Sequence, residues 1–374
     1  MNFSISSSAL SGRLQAIGRV ITSKNTIALL DCFLFEIQGK ELTITASDGE
    51  NTLKTTLTLE EESEEIRFAV NAKTIQDAMK EIPEQPLSFQ IDPTSYEIEV
   101  TYQNGLYKLI GQDAFEYPTT VPDLENITTT SIPSSLLSAS ITRALFATAD
   151  DEMRPVMNGV LFDMKQDGLT IVASDGHKLV CDKSLSTKTE NATSFIMPKK
   201  PASLLKQLLN KSDEAVTLNF NKRNAEVKLP DYNMTCRLID GVFPNYNSVI
   251  PRDNPNCATI NRMAFLGALR RVLIFSNQAS ALIKLQLRSN ELHISSQDVD
   301  FSRSAEESLV CEYGGMPLSI GFKGTSLIDI LNNINNDDII LKLGDPSRAG
   351  IIVPAEQPQD EEILMLLMPM MLND

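Results

Sequence analysis

The residues that could do chemistry are few and scattered. The 374-residue chain has two histidines, His177 and His293. His177, in the stretch ASDGHKL (173–179) just after an alternating run, is the better placed to act as a base. A histidine in a turn is by default a hydrogen-bonded surface residue, and His293 lies inside the strand-like LHISS. Asp48 and Asp175 recur in the same Ser-Asp-Gly sequence. Recurrence at equivalent places points to turn chemistry, because Asp caps its own turn and Gly accepts a positive φ. It is not the asymmetric pair of carboxylates that acid/base catalysis needs. Five cysteines (Cys32, Cys181, Cys236, Cys257, Cys311) are odd in number and never form C-x-x-C. That argues against a zinc site or a disulfide framework and fits a reducing cytoplasm. No phosphate-cradling G-x-x-x-x-G-K-[ST], dinucleotide-binding glycine pattern, G-x-S-x-G or metal-ligand spacing occurs. The residues therefore predict a protein that is not an enzyme and uses neither metal nor cofactor.

The elements that would hold these residues repeat. FLFEIQGKELTITASDG (33–49), VLFDMKQDGLTIVASDG (160–176) and IKLQLRSNELHISSQD (283–298) each read as strand, short turn and strand. Leu42, Leu169 and Leu292 take the same place, so the period is about a third of the chain. A helical stripe precedes each hairpin: Leu10, Leu14, Ile17 and Ile21; then SSLLSASITRALFATA (134–149), with Ser134 or Ser135 as N-cap; then NRMAFLGALRRVLIFS (261–276). Another helix follows each hairpin, at 71–82, 199–211 and 323–336, and further strands at 87–91 with 96–102 and 216–220 with 225–229. The fold class predicted is α+β, three repeats of two helices packed on antiparallel sheets. Turn residues gather at 120–135 and 247–259, giving domains of 1–122, 130–250 and 251–374. Periodicity alone does not choose between an open solenoid and a closed ring.

Composition is that of a soluble globular chain, 42% hydrophobic and 22% charged. There is no apolar run of about 18 residues to span a membrane, and no charged leader with an apolar core to direct secretion. The expected location is cytoplasmic, with no membrane partner.

The net charge of −16 alone argues against nucleic acid. Yet the six helical segments, which hold Arg13, Arg19, Lys24, Arg143, Lys206, Arg262, Arg270 and Arg271 among others, sum to +11, leaving −27 elsewhere. At about 100° per residue, Lys73 and Lys80 project away from the stripe Ile75, Met79 and Ile82, and Arg270 and Arg271 from Phe265, Leu269 and Val272. If all six helices face one way, they make a basic wall without base-reading groups. Such a wall attracts phosphates whatever the sequence, while an acidic exterior repels DNA. The plainer reading is a set of ordinary solvated helix faces.

RPVMNGVLFD (154–163), ASDGHKL (173–179), RLIDGVFPNYNSVIP (237–251) and LMPMML (367–372), set in a triplicated layout, together resemble the bacterial DNA sliding clamp. That family is the beta subunit, or processivity factor, of the replicative DNA polymerase III, and the resemblance runs the length of the chain. It implies three DNA-clamp domains per chain and a head-to-tail homodimer, a six-domain ring that encircles duplex DNA and tethers the polymerase. Other implied partners are the clamp loader and repair or replication factors, which dock through a short peptide motif rich in Gln, Leu and Phe.

By position, the resemblance implies DNA contacts at Lys24, Lys73, Lys80, Lys199 and Lys200; the helix argument adds Arg13, Lys206, Arg270 and Arg271. It implies a partner-peptide pocket of Arg154, Met157, Ser174, Gly176, His177, Lys178, Leu179, Pro244, Val249, Met368, Pro369, Met370 and Met371. A Met-rich lining repacks cheaply around different partners. Read without the family, the terminal methionines and leucines form a last core strand. Met371 and Ser248 stand where some members carry arginine, which makes this pocket less basic. The implied dimer interface sets Tyr107 and Leu109 against Ile274 and Phe275, with charged support from Asp298, Asp300, Glu306 and Glu307. Helix-end core packing is the plainer reading of Ile274 and Phe275. The alternative function is an acidic three-repeat scaffold that binds proteins and not DNA.

Overall fold

The computed structural model describes residues 1–22, 25–118, 125–209 and 214–372. Six α-helices occur among them: α1 (Ser7–Ile17), α2 (Ala72–Lys80), α3 (Ser134–Leu145), α4 (Lys199–Leu208), α5 (Arg262–Leu273) and α6 (Gly324–Asn332). The chain divides into two compact units, Met1–Ser138 with Ser203–Leu238 and Ala139–Ala202 with Ile239–Asp374. The division falls inside α3 and α4, so the middle repeat contributes to both units.

In the first unit one sheet runs Asn2–Ser6, Pro86–Ile91, Glu97–Tyr102, Gly105–Ile110, and Gly105–Ile110 ends it. A six-stranded sheet joins Cys32–Ser47 and Asn51–Asn71 to four strands of the middle repeat, through Tyr232–Arg237. Gly39, at φ 60, marks the register break in Cys32–Ser47; one arm pairs with residues 66–71 and the other with 52–58. In the second unit an eight-stranded sheet joins the middle and last repeats where Lys178–Ser184 pairs with Glu361–Leu367. A separate four-stranded sheet ends in Arg303–Val310. Of the three expected hairpins, those at 160–176 and 283–298 are present, as Gly159–Lys165 with Gly168–Ser174 and Leu282–Arg288 with Glu291–Asp298, whereas 33–49 lies mostly in one strand, Cys32–Ser47, whose two arms both pair with Asn51–Asn71.

Alternation explains the core. Phe3 faces Phe89, Phe35 faces Phe68 and Phe162 faces Phe195 across neighbouring strands, their rings stacked with centroids 4.6 to 5.2 Å apart. Such pairs add about 0.5–1.5 kcal/mol each beyond the area they bury. The stripe Leu10, Leu14 and Ile17 of α1 is fully buried, whereas Ile21 lies beyond the helix. Ser6, Asn71 and Asn261 cap α1, α2 and α5, each accepting a hydrogen bond from the backbone amide three residues on.

Two charge assignments are corrected. Arg143, counted among the basic helix residues, is 9% exposed and pairs with Asp182 at 2.6 Å and Glu361 at 2.5 Å. Arg262 donates to the carbonyls of Leu331 and Asn336, satisfying the last turn of α6 instead of facing a ligand. A single sequence gives no sign of either, because each partner lies far along the chain.

Candidate functional site

The first candidate residues are the helix cations, spread over both units. Lys73 and Lys80 on α2, Lys199 on α4 and Arg270 on α5 are exposed, and Lys200 and Lys206 are half-buried. Arg270 donates to Asn332 Oδ1 on α6 at 3.1 Å. Arg13 is half-buried, 2.7 Å from Asp231 and 5.0 Å above the Tyr232 ring, so α1 is pinned to the turn before Tyr232–Arg237. The hydrogen bond from Arg13 holds the Asp231 carboxyl below its usual range. Arg271 is paired with Glu307 at 2.5 Å. The charges of Arg13 and Arg271 are thus partly offset where they stand. Lys24 lies outside the described residues. Arg19, absent from the predicted contacts, donates to Gln207 of α4 and joins the exposed cations; its place just past the α1 stripe was the available signal.

The second surface is built on the Ser-Asp-Gly turn of the second unit. Ser174 Oγ accepts from Gly176 N at 3.1 Å and donates to Lys178 O at 2.8 Å. Asp175 Oδ1 accepts from the amides of His177 and Lys178, at 2.8 and 2.9 Å. Burial pushes the Asp175 carboxyl up, but Lys178 and these amides together hold it below the usual range. The first repeat has the same turn: Ser47 Oγ accepts from Gly49 N, Asp48 Oδ1 accepts from Glu50 N and Asn51 N, and Gly49 and Gly176 both sit at φ 92. Asp175 therefore engages the backbone of His177, and among the described residues the His177 ring has no carboxylate partner.

Around this turn the sheet gathers other residues of the expected pocket. His177 O accepts from Met368 N at 2.8 Å, Leu179 pairs with Leu366, and Met370 N donates to Gly321 O at 2.8 Å. Leu179 and Met157 are buried; Pro244, Val249 (52% exposed), Met368 (40%) and Met371 (89%) stand open, and Pro369 and Met370 are half-buried. Arg154 closes one side, donating to Asp151 at 2.8 Å and to Asp175 O at 3.3 Å. The last core strand expected of the terminal run stops at Leu367; Met368 onward is an apolar ledge. Ser248 is exposed, its hydroxyl donating to Asn245 O at 2.7 Å.

The third surface is a pair of open strand edges, one in each unit. Tyr107 and Leu109 lie on Gly105–Ile110, and Glu306 and Glu307 on Arg303–Val310. Ile274 (72% exposed) and Phe275 (40%) lie past the end of α5, which rules out core packing for them. Asp300 is exposed, but Asp298, expected at the surface, is only 6% exposed because its strand position alternates inward. Among the described residues no helix is long and apolar enough to cross a membrane.

Family models of the DNA polymerase III beta subunit match in order: its N-terminal domain at residues 1–122, its central domain at 131–245 and its C-terminal domain at 247–371. The beta sliding clamp of Haemophilus influenzae is 31% identical over 368 residues, covering 98% of this chain and 99% of its own length. That of Pseudomonas putida is 28% identical over 366 residues, with the same coverage. The crystal structure of the Pseudomonas aeruginosa beta subunit superposes with a TM-score of 0.93 at 27% identity over the whole of both chains. The clamp of that organism bound to griselimycin gives 0.94, also at 27% identity and full coverage. The scaffold alternative gains no support from these similarities. Three domains matched in sequence order, and a relative this similar along nearly the entire length, establish that the chain belongs to the DNA polymerase III beta subunit family, the beta sliding clamps.

Proposed function

We propose that two copies of the chain join head to tail into a six-domain ring that encircles duplex DNA without reading its sequence. The ring tethers the replicative polymerase and confers processivity. The observation that carries this reading is the unbroken order of clamp domains along residues 1–371. The domains are taken as 1–122, 130–250 and 251–374. The protein acts in the cytoplasm, catalyses nothing and needs no cofactor.

On this reading tethering is topological. Lys73, Lys80, Lys199, Lys200, Lys206 and Arg270, with Arg13, Lys24 and Arg271, meet phosphates, which are alike at every base step, so no position along the duplex is favoured. Closure uses the two open edges: a strand edge is a template for another strand, and Lys108 on Gly105–Ile110 suits Glu306 and Glu307 on Arg303–Val310 of a second copy. Tyr107, Leu109, Ile274 and Phe275 supply apolar contact there. Partners dock at the ledge of Val249, Pro244, Met368 and Met371 beside the Ser-Asp-Gly turn, the clamp loader and repair factors competing for it.

Retention on DNA tests the reading. After loading, the protein should stay on closed circular DNA through a high-salt wash and leave when the circle is cut. Equal retention on linear and circular DNA overturns encirclement.

A further inference from the structure

A second cleft of about 460 Å³ lies in the same unit as the docking ledge. Its volume is in the range of about 300–1,000 Å³ usual for ligand sites. Its floor includes Cys181, Val353 and Leu364, and residues 246–250 supply Tyr246, Asn247 and Ile250 to its wall. The floor is continuous with the docking site: Cys181, Leu364 and Ile250 pack on the same apolar cluster as Leu179, Phe243 and Leu366.

The rim is where this cleft departs from the ledge. Three ammonium groups line it, from Lys165, Lys183 and Lys342. Lys165 pairs with Asp163 and Lys183 with Asp167, each at 2.7 Å, while Lys342 makes no ion pair among the described residues. Asp163, Asp167 and Glu362 balance the three lysines in number, so the ammonium group left for an incoming acidic residue is that of Lys342, with Lys165 and Lys183 available by exchange of their present partners. Leu179, Cys181 and Lys183 alternate along one strand and so share a face. At about 3.3 Å per residue, Leu179 to Lys183 is about 13 Å, a distance an extended segment covers in about four residues.

We propose that partner docking is bipartite: a segment anchored by apolar residues on the Leu179–Met368 ledge continues past residues 246–250 and places acidic residues among Lys165, Lys183 and Lys342. This rests on the docking site proposed above and adds the chemistry of the flanking sequence. The apolar ledge then takes any partner with a suitable anchor, and the lysine cleft ranks partners by the charge beside it.

Fluorescence anisotropy with the full chain tests it. The probes are labelled Gln-Leu-Ser-Leu-Phe and the same peptide carrying Asp-Glu-Asp-Glu after a three-residue Gly-Ser-Gly spacer, at its N-terminus in one version and its C-terminus in another. One extended version should bind about fivefold tighter than the short peptide at low salt, the yield of a few exposed charge pairs. The gain should disappear near 1 M salt, where the screening length is about 3 Å. The variant Lys165→Gln, Lys183→Gln, Lys342→Gln should lose the gain yet bind the short peptide as before, which also shows that it is folded. The single substitution Lys342→Gln should lose part of the gain. No gain from either extension, or a gain that survives the triple substitution, overturns the bipartite proposal and leaves the ledge intact. Failure of the short peptide to bind the unmodified chain overturns the docking site itself.

Discussion

Arg271 Nε lies 3.0 Å from Glu307 Oε2, and its second fork nitrogen reaches the other carboxylate oxygen. This contact ties the last turn of α5 to Arg303–Val310, the open edge of its sheet. A residue expected to meet DNA is thus bonded to one expected to meet a second copy. Reversing either charge alone should weaken the dimer about three- to tenfold, as for a lost pair turned into a repulsion. Combining Arg271→Glu with Glu307→Arg should restore the pair within the chain but only part of the dimer, since the swap sets a cation against Lys108 of the second copy, and should not restore loading on DNA. Mass against dilution and retention on circular DNA separate the two effects. The sign with pH follows from Glu307, whose carboxyl Arg271 holds below its ordinary range. The contribution is complete above the unfolded value of about 4.3 and is lost as pH falls through the lower folded value. The acid loss of fold stability, read by thermal melting, should therefore be smaller in the Glu307→Gln variant.

The exposed lysines make a different prediction, one about phosphate. Lys73→Glu with Lys199→Glu should cut the amount loaded on circular DNA several-fold while leaving solution mass unchanged. Each phosphate contact removed should lower the salt dependence of the initial encounter by about 0.9 in slope. Unchanged loading and slope would remove α2 and α4 from the DNA face.

The paired Ser-Asp-Gly turns allow an internal control. Gly176 and Gly49 both hold φ 92, so alanine strains either one, at a cost of about 1 kcal/mol or more. A Cβ at Gly176 would also sit 2.8 Å from Arg154 Nη1, whereas at Gly49 its nearest neighbour is Leu30 at 3.8 Å. Gly176→Ala should displace Arg154 and weaken binding of the short peptide; Gly49→Ala should lower stability by a similar amount and leave binding unchanged. Thermal melting and anisotropy on both variants check this.

These turns were legible in the sequence because their chemistry is local: Ser, Asp and Gly satisfy one another within four residues. The alternating hairpins at 160–176 and 283–298 and the helix starts were legible for the same reason. Sheet continuity between repeats was not. Cys236 pairs with Asn51 and Lys178 with Leu367, and nothing near either residue marks a partner so remote. The expected pocket is legible in part: its turn is local, but the terminal run of Met and Leu reads as a core strand, whereas Met368 and Met371 are exposed. Asp298 sits at an inward position of its strand, a burial that alternation along Glu291–Asp298 sets and its charge does not suggest.

Arg143 is the clearest case of a charge whose setting the sequence hides, and it supports the last prediction. Its guanidinium lies between Asp182, 1% exposed at the side chain, and Glu361, 16% exposed. Removing the cation strands two carboxylates in a low-dielectric interior, so Arg143→Ala should cost about 3–5 kcal/mol. Burial already raises the Glu361 carboxyl above its ordinary value, with Arg143 acting against that rise. A carboxyl raised in the folded state costs stability above its folded value, and the cost fades as pH falls through it. Without Arg143 the rise must be larger, so the deficit of Arg143→Ala should shrink as pH falls from neutral through the raised folded value. Arg143→Met with Asp182→Asn and Glu361→Gln should recover much of the loss at pH 7, because no buried charge then lacks a partner. Denaturant melts across that fall in pH decide it: a deficit independent of pH would mean that Arg143 acts by filling space and not by charge.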